Sequence, residues 1–296
     1  MPELPRSDAN ETGLMFSLEG MRQQPIDYSW SHHWLSTSGE KLLSYCNQGS
    51  YHWLHFPGLA DFRISATTKK ISCFPCLEVS RETIRHLLLE QVLPRCLAHQ
   101  GKVMLHASAV QHEQGLLLFI GDSGAGKSTL AGNFHQAGNP ALSDDCLRVK
   151  ADKDQIRAVP SYRGLRLWQD SLEVLFATQE DADSMVNYAS KKRVPLKGND
   201  LPGSGNGFPV LAMIVLSSPG HKSPFEVGLE RVSHREAFIA ILRQTFQLNL
   251  MDLEKMTGHV QALARIVPRV PVFHLSMPRD YALLPTVRQK ILETVL

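Results

Sequence analysis

Residues 116–129 read Leu-Leu-Leu-Phe-Ile-Gly-Asp-Ser-Gly-Ala-Gly-Lys-Ser-Thr, an apolar run that passes straight into the pattern Gly-x-x-x-x-Gly-Lys-Ser. Gly121, Asp122, Ser123, Gly124, Ala125, Gly126, Lys127 and Ser128 fill that pattern completely, with Thr129 next in line. Glycines belong there because backbone N–H groups must turn inward around phosphate oxygens, in conformations that a β-carbon obstructs. A helix opening near Lys127 aims the positive end of its dipole at the same anion. The Lys127 ammonium reaches the β- and γ-phosphates, and Ser128 offers its hydroxyl to Mg²⁺. A chance match in a chain of this length is expected about once in a hundred. The strand-loop-helix context, with Leu130 and Phe134 on the segment that leaves the loop, lowers that figure further. The expectation is an α/β domain that binds ATP or GTP with Mg²⁺, its contacts running from Gly121 through Thr129.

About two dozen residues beyond the loop, the apolar step Ala141-Leu142 runs into Asp144 and Asp145. At the carboxyl end of a strand these two carboxylates enter the crevice where open α/β sheets bind ligands. One can hold Mg²⁺ while the other accepts the proton of an attacking hydroxyl. A solvated turn is the alternative for two adjacent aspartates seen alone, and the phosphate-binding loop argues against it.

Around this centre, residues 103–110 and 116–120 read as two strands joined by a turn, and a short helix ends near residue 136. Residues 210–216 read as a buried strand. Ser233 with Glu236 three residues on forms a capping box. A helix around residues 253–266, a strand around 272–276 and a last helix complete the chain. Upstream, residues 41–45, 51–56, 62–66 and 71–74 read as short strands of a small antiparallel unit. At Ser80 the texture turns helical, with Ile84, Leu87, Leu88, Val92 and Leu93 on one face, and Pro94 should bend or end that helix. The division expected is residues 1–79 for the β unit and 80–296 for the catalytic domain. Lys191, Lys192 and Arg193, ahead of the Gly-rich stretch 199–209, read as a mobile lid carrying positive charge, with an ordinary solvated loop as the alternative.

Composition excludes several classes. With 43% hydrophobic and 20% charged residues and a formal charge of +2, the chain is neither disordered nor a basic nucleic-acid binder. No apolar run approaches the roughly 20 residues of a membrane span, and the polar start lacks a secretory pattern, so a cytoplasmic protein without membrane or nucleic-acid partners is expected. The five cysteines at 46, 73, 76, 96 and 146 do not form a disulfide framework. Cys73 and Cys76 with Cys46 and His52 offer four zinc ligands on paper, but a second ligand pair of the usual spacing is missing. Reduced thiols are the better reading.

Taken together, His106, the Gly-Asp-Ser-Gly-Ala-Gly-Lys-Ser-Thr run and Leu142-Ser143-Asp144-Asp145 resemble the catalytic domain of HPr kinase/phosphorylase, in the same order and with similar spacing. The chain is still more similar to HPr-kinase-like proteins of lasso-peptide biosynthesis clusters, through residues 86–99, 105–110 and 161–168. The resemblance implies an α/β P-loop kinase domain of the HPr kinase type behind a small N-terminal β unit. It implies Asp144 as proton acceptor, Asp145 as metal ligand beside Ser128, His106 as an active-site neighbour and Arg166 as a phosphate contact, with Lys127 catalytic. The chain departs from HPr kinases where they carry an acidic residue before an Arg-Gly pair, since Ser161 and Tyr162 precede Arg163 and Gly164 here.

The reaction implied is transfer of the γ-phosphate of ATP to a serine-type hydroxyl of a peptide, a lasso-type precursor above all. The edges of the β unit offer an extended peptide main-chain pairing. Alternatives left open are an HPr-type serine kinase/phosphorylase and a nucleotide-dependent regulatory module without transfer. A homo-oligomer contact through the β unit is a further alternative.

Overall fold

The computed structural model describes residues 13–21, 28–36, 38–113, 115–161, 164–176, 191–194, 196, 206–218 and 226–295. The first sheet consists of β1 (Met15–Leu18), β2 (His32–Leu35), β3 (Lys41–Gln48), β4 (Tyr51–Phe56), β5 (Ala60–Ser65) and β6 (Lys70–Pro75), in the order β1-β6-β5-β4-β3-β2. It is larger than the four strands read from sequence. It is also not wholly antiparallel, because β1 runs parallel to β6. Alternation explains its sidedness: His52, Leu54 and Phe56 of β4 are buried, while Tyr51, Trp53 and His55 face outward.

A helix covers the buried face. Ser80 caps it, its hydroxyl accepting from Thr83 N–H at 3.1 Å. It runs through α1 (Arg81–His86), a π-helical turn at Leu87–Val92 and α2 (Leu93–His99). Ile84, Leu87, Leu88, Val92 and Cys96 pack against Leu54, Phe62 and Ile64 of the sheet. Pro94, expected to bend or end the helix, does not end it. It follows the π turn directly, where Leu93 N–H bonds to Leu88 O five residues back, so the ladder is already shifted where proline has no N–H to give.

The second part of the chain comprises β7 (Val103–Leu105), β8 (Ala107–His112), β9 (Gly115–Ile120), α3 (Lys127–Gln136), β10 (Ala141–Ser143), β11 (Leu147–Ala151), β12 (Ile156–Pro160), β13 (Leu165–Leu167), α4 (Gln169–Leu175), β14 (Lys192–Val194), β15 (Phe208–Leu216), β16 (Gly228–Arg231), α5 (His234–Arg243), α6 (Leu253–Ile266), β17 (Val272–Ser276) and α7 (Leu284–Val295). The central sheet has the order β10-β8-β9-β15-β12-β11-β7, with β17 and β16 attached to β15. Residues 103–110, read from sequence as one strand, are two strands on distant parts of this sheet, split at His106, whose N–H bonds instead to Gln244 O at 2.8 Å. Leu117 and Phe119 face the helices α3 and α7, while Leu116, Leu118 and Ile120 face α5 and α6. A strand buried on both faces needs apolar residues at every position, which is why β9 reads Gly-Leu-Leu-Leu-Phe-Ile without alternation. The capping box on α5 is present, with Glu236 N–H bonded to Ser233 Oγ and Ser233 N–H to Glu236 Oε2.

Residues 191–193, read from sequence as the front of a lid or an ordinary loop, fall largely on a short strand here. Lys192–Val194 pairs with β13, Arg193 opposite Arg166, because Val194 is buried in the core beneath α3 and pins the strand. Of the Gly-rich stretch 199–209, residues 199–205 lie outside the described residues, as do Tyr162 and Arg163, while Phe208 and Pro209 open β15. Cys46 and Cys73 are buried and Cys76 is exposed, and His52 Nδ1 shares a hydrogen bond with Tyr45 Oη at 2.9 Å. Among the described residues no helix is long and apolar enough to cross a membrane.

Candidate active site

Strand order brings the site together. β8 lies between β9 and β10 and is antiparallel to both, so the carboxyl ends of β9 and β10 emerge beside the start of β8. The phosphate-binding loop leaves the first, Asp144 and Asp145 leave the second, and His106 and Ser108 stand between them. The loop has the backbone its glycines permit: Gly124 at φ +81 and Gly126 at φ +100 occupy the left-handed region, and Gly126 is the residue that opens α3.

Lys127 is buried, and its Nζ donates to the carbonyls of Gly121 at 2.8 Å and Asp122 at 3.1 Å, folded back across its own loop. Burial lowers its pKa, against the opposing pull of Asp145 and Asp144. Ser123 is exposed at the loop's tip. Asp122 turns its carboxylate away from the loop and accepts from Ser218 Oγ at 2.5 Å and Gln244 Nε2 at 2.7 Å. Gln244 therefore braces two parts of the site, since its carbonyl also receives His106 N–H.

The two aspartates have opposite environments. Asp144 Oδ1 accepts from Ser108 Oγ at 2.5 Å and Ser128 Oγ at 3.1 Å, and Oδ2 accepts from Arg166 N–H at 2.9 Å. Burial, followed by the charge of Asp145, raises the pKa of Asp144 despite these bonds. For Asp145 burial also pushes upward, but the hydrogen bond from His106 and the charge of Arg166 overcome it and hold the carboxyl well below its ordinary range. His106 Nε2 lies 3.5 Å from Asp145 Oδ1, and Arg166 Nη1 donates to Asp145 Oδ2 at 2.9 Å. Asp145 itself sits at φ +67, a strained position for a residue with a β-carbon.

Every residue expected from sequence is thus at one end of the sheet. The loop opens on a cavity of about 350 Å³ lined by Gly124–Thr129, Arg166, Trp168, Lys191, Arg279 and Tyr281. Lys191 Nζ lies 5.5 Å above the Trp168 ring, so the positive charge expected of residues 191–193 does reach this cavity. The donors fit Mg²⁺, although the carboxylate beside Ser128 Oγ is that of Asp144, at 3.1 Å, and not that of Asp145, the ligand expected from the resemblance, which is held instead by His106 and Arg166. That ion takes one or two carboxylates and completes its shell with phosphate oxygens and water.

Three residues of the site carry no motif. Ser108 was within reach, because it lies two positions beyond His106 and shares its side of the strand. Glu90 is buried among apolar residues, and its Oε2 accepts from Arg166 Nη1. Its sequence signal is a charge inside the run Leu-Leu-Leu-Glu-Gln-Val-Leu. Gln244 has no signal at all.

No protein-family model and no curated protein matches the chain. Among solved structures it is similar to the Hpr(Ser) kinase/phosphatase from Coxiella burnetii, at 14% identity and a TM-score of 0.31, over 64% of this chain and 97% of that one.

Proposed function

We propose that this chain is an ATP-dependent kinase that transfers the γ-phosphate to a serine-type hydroxyl of a peptide, with a lasso-type precursor as the leading substrate class. The observation that carries the reading is Asp144, a buried carboxylate with raised proton affinity 3.1 Å from the loop hydroxyl Ser128. A group meant only to hold a cation gains from a lowered pKa, which is the state of Asp145. Two carboxylates pushed apart in this way divide into a proton acceptor and a permanently charged partner.

In the reaction so read, the acceptor oxygen attacks the γ-phosphorus while its proton passes to Asp144. The bond from that phosphorus to the β–γ bridging oxygen breaks, and ADP leaves. Lys127 exchanges its two loop carbonyls for phosphate oxygens, and the loop N–H groups receive the remaining charge. Ser128 and the aspartates would hold Mg²⁺, which would supply charge neutralisation across the phosphates. His106 and Arg166 keep Asp145 ionised and in place.

The peptide part rests on the first sheet, whose end strands β1 and β2 offer edges to an extended chain. Incubation with precursor peptides and Mg-ATP, read by mass spectrometry, should add phosphate masses that fragmentation localises to a serine hydroxyl. Phosphorylation of small metabolites alone would remove the peptide assignment. Nucleotide binding with no transfer to any acceptor would remove the kinase.

A further inference from the structure

Glu90 is 3% exposed, on a turn where Leu87, Leu88, Leu89 and Val92 are buried as well. A carboxylate in such surroundings is unfavourable unless charge and hydrogen bonds compensate it, and even a paired one rarely stabilises a fold better than apolar side chains of the same volume. Stability therefore gives little reason for its presence. The π turn supplies the geometry. It carries Glu90 with one extra residue in the turn, and such turns recur at functional sites.

Glu90 Oε2 lies 2.8 Å from His86 Nδ1 and accepts from Arg166 Nη1. The same Nη1 donates to Asp145 Oδ2 at 2.9 Å. One guanidinium nitrogen is thus shared between a carboxylate of the helix that covers the first sheet and a carboxylate of the phosphate site. Arg166 also lines the cavity beside the phosphate-binding loop, and its backbone N–H holds Asp144.

We propose that Glu90 is a positioning residue that holds Arg166 against Asp145, and that it makes the helix on the N-terminal sheet part of the phosphate-transfer machinery. The proposal rests on the kinase reading above. In it Glu90 limits how far Arg166 reaches toward bound phosphate and fixes the charged partner of Asp145 during transfer. The two effects oppose each other when Glu90 is neutralised. One negative charge beside the phosphates is lost, which tightens nucleotide binding, while the orientation needed for transfer relaxes.

The test uses the full chain carrying Glu90→Gln, Glu90→Asp, Arg166→Lys and the Glu90→Gln/Arg166→Lys pair. Calorimetry with Mg-ADP should give Glu90→Gln an affinity about threefold tighter than wild type, from the removed charge. Its phosphate transfer should fall about tenfold or more, and Glu90→Asp should restore part of it. On the Arg166→Lys background Glu90→Gln should add less than about a twofold further change, because contacting residues are not additive. Unchanged affinity and turnover in Glu90→Gln would overturn the proposal. So would parallel losses of both that track a lower melting temperature, or additive effects in the pair. If Glu90→Gln does not fold, a Glu90→Asp enzyme with wild-type affinity and turnover would overturn it equally. A wild type that transfers no phosphate would defeat the kinase reading, while the Mg-ADP arm still decides the role of Glu90.

Discussion

Replacing Asp144 by Asn tests the site at its centre. The substitution keeps shape and removes the proton acceptor, so the question is what the amide does among three donors. Arg166 N–H is fixed and must face the amide oxygen, which turns the amide nitrogen toward Ser108 and Ser128. Both hydroxyls can rotate to accept, so no buried group need be left without a partner. The pKa of Asp144 is raised in the fold, so its protonated form is the stabilised one. Its contribution to stability is present below the unfolded carboxylate pKa and is lost as pH rises through the folded value. The neutral form is the stabilised one and the amide resembles it, so Asp144→Asn should melt within about 1 kcal/mol of wild type or slightly above it. Transfer should fall by a factor on the order of 10² to 10⁴, the usual worth of a positioned base. Mg-ATP affinity, measured by calorimetry, should stay within about threefold, since removing a charge unfavourable to phosphate would offset the loss of a carboxylate that would help hold Mg²⁺. Turnover within threefold of wild type, or a melting temperature well below it, would refute the assignment of Asp144 as proton acceptor on a relaxed scaffold.

Asp145→Asn should behave in the opposite sense. Its pKa is depressed, so its stabilisation is present above the ordinary carboxylate pKa and disappears only as pH falls through the folded value. At pH 7 its loss leaves Arg166 and His106 short of a partner, at a cost of about 3 kcal/mol in denaturant titrations. Asn tolerates the left-handed backbone there, so any loss reports the charge and not the turn. Lys127→Ala should abolish transfer, and near-wild-type turnover would show that another cation serves the phosphates. His52 is held neutral by burial, with a pKa lowered to about 4. NMR should find its imidazole titrating near that value, and stability should fall as pH drops from 6.5 toward it. Phe134→Ala should lose about 3–5 kcal/mol, because the ring is fully buried between α3 and the sheet, and a loss under 1 kcal/mol would mean that this face is loosely packed.

The elements legible in the sequence were those whose signals are local. The loop declares itself through glycines at fixed offsets, α5 through its capping box, and β15 through a buried apolar run. Strands β11 to β14 are short and partly exposed. Their residues, such as Arg148, Lys150, Arg157 and Arg166, alternate with buried ones in a way that three to five positions are too few to establish. The break at His106 is equally invisible, because residues 103–110 read as one mostly apolar run with no Gly or Pro, while their hydrogen-bond partners change from β11 to β9 and β10. What splits the strand is a carbonyl of Gln244, more than a hundred residues away.

The same limit explains why the aspartates stand out in the sequence by themselves, while His106 and Arg166 enter only through the family resemblance and Ser108 not at all. Asp144 and Asp145 stand next to each other at a strand end, a pattern that chemistry alone makes suspicious. On top of burial, the difference in their proton affinities comes from His106 and Ser108 on one stretch of the chain and Arg166 on another. Arg166 in turn depends on Glu90, whose helix belongs by packing to the first sheet. A lysine in its place would set a second cation beside Arg166 and leave the guanidinium to Asp145 alone, so the helix that looks from sequence like a simple cover is the one through which the N-terminal sheet acts on the phosphate site. If that sheet also receives the peptide, binding there is felt at Arg166 through Glu90, and a peptide should alter nucleotide affinity in the wild type but not in Glu90→Gln. Equal coupling in both proteins, measured by Mg-ADP calorimetry with and without peptide, would sever the sheet from the site, because linkage requires a shared element that both ligands bias.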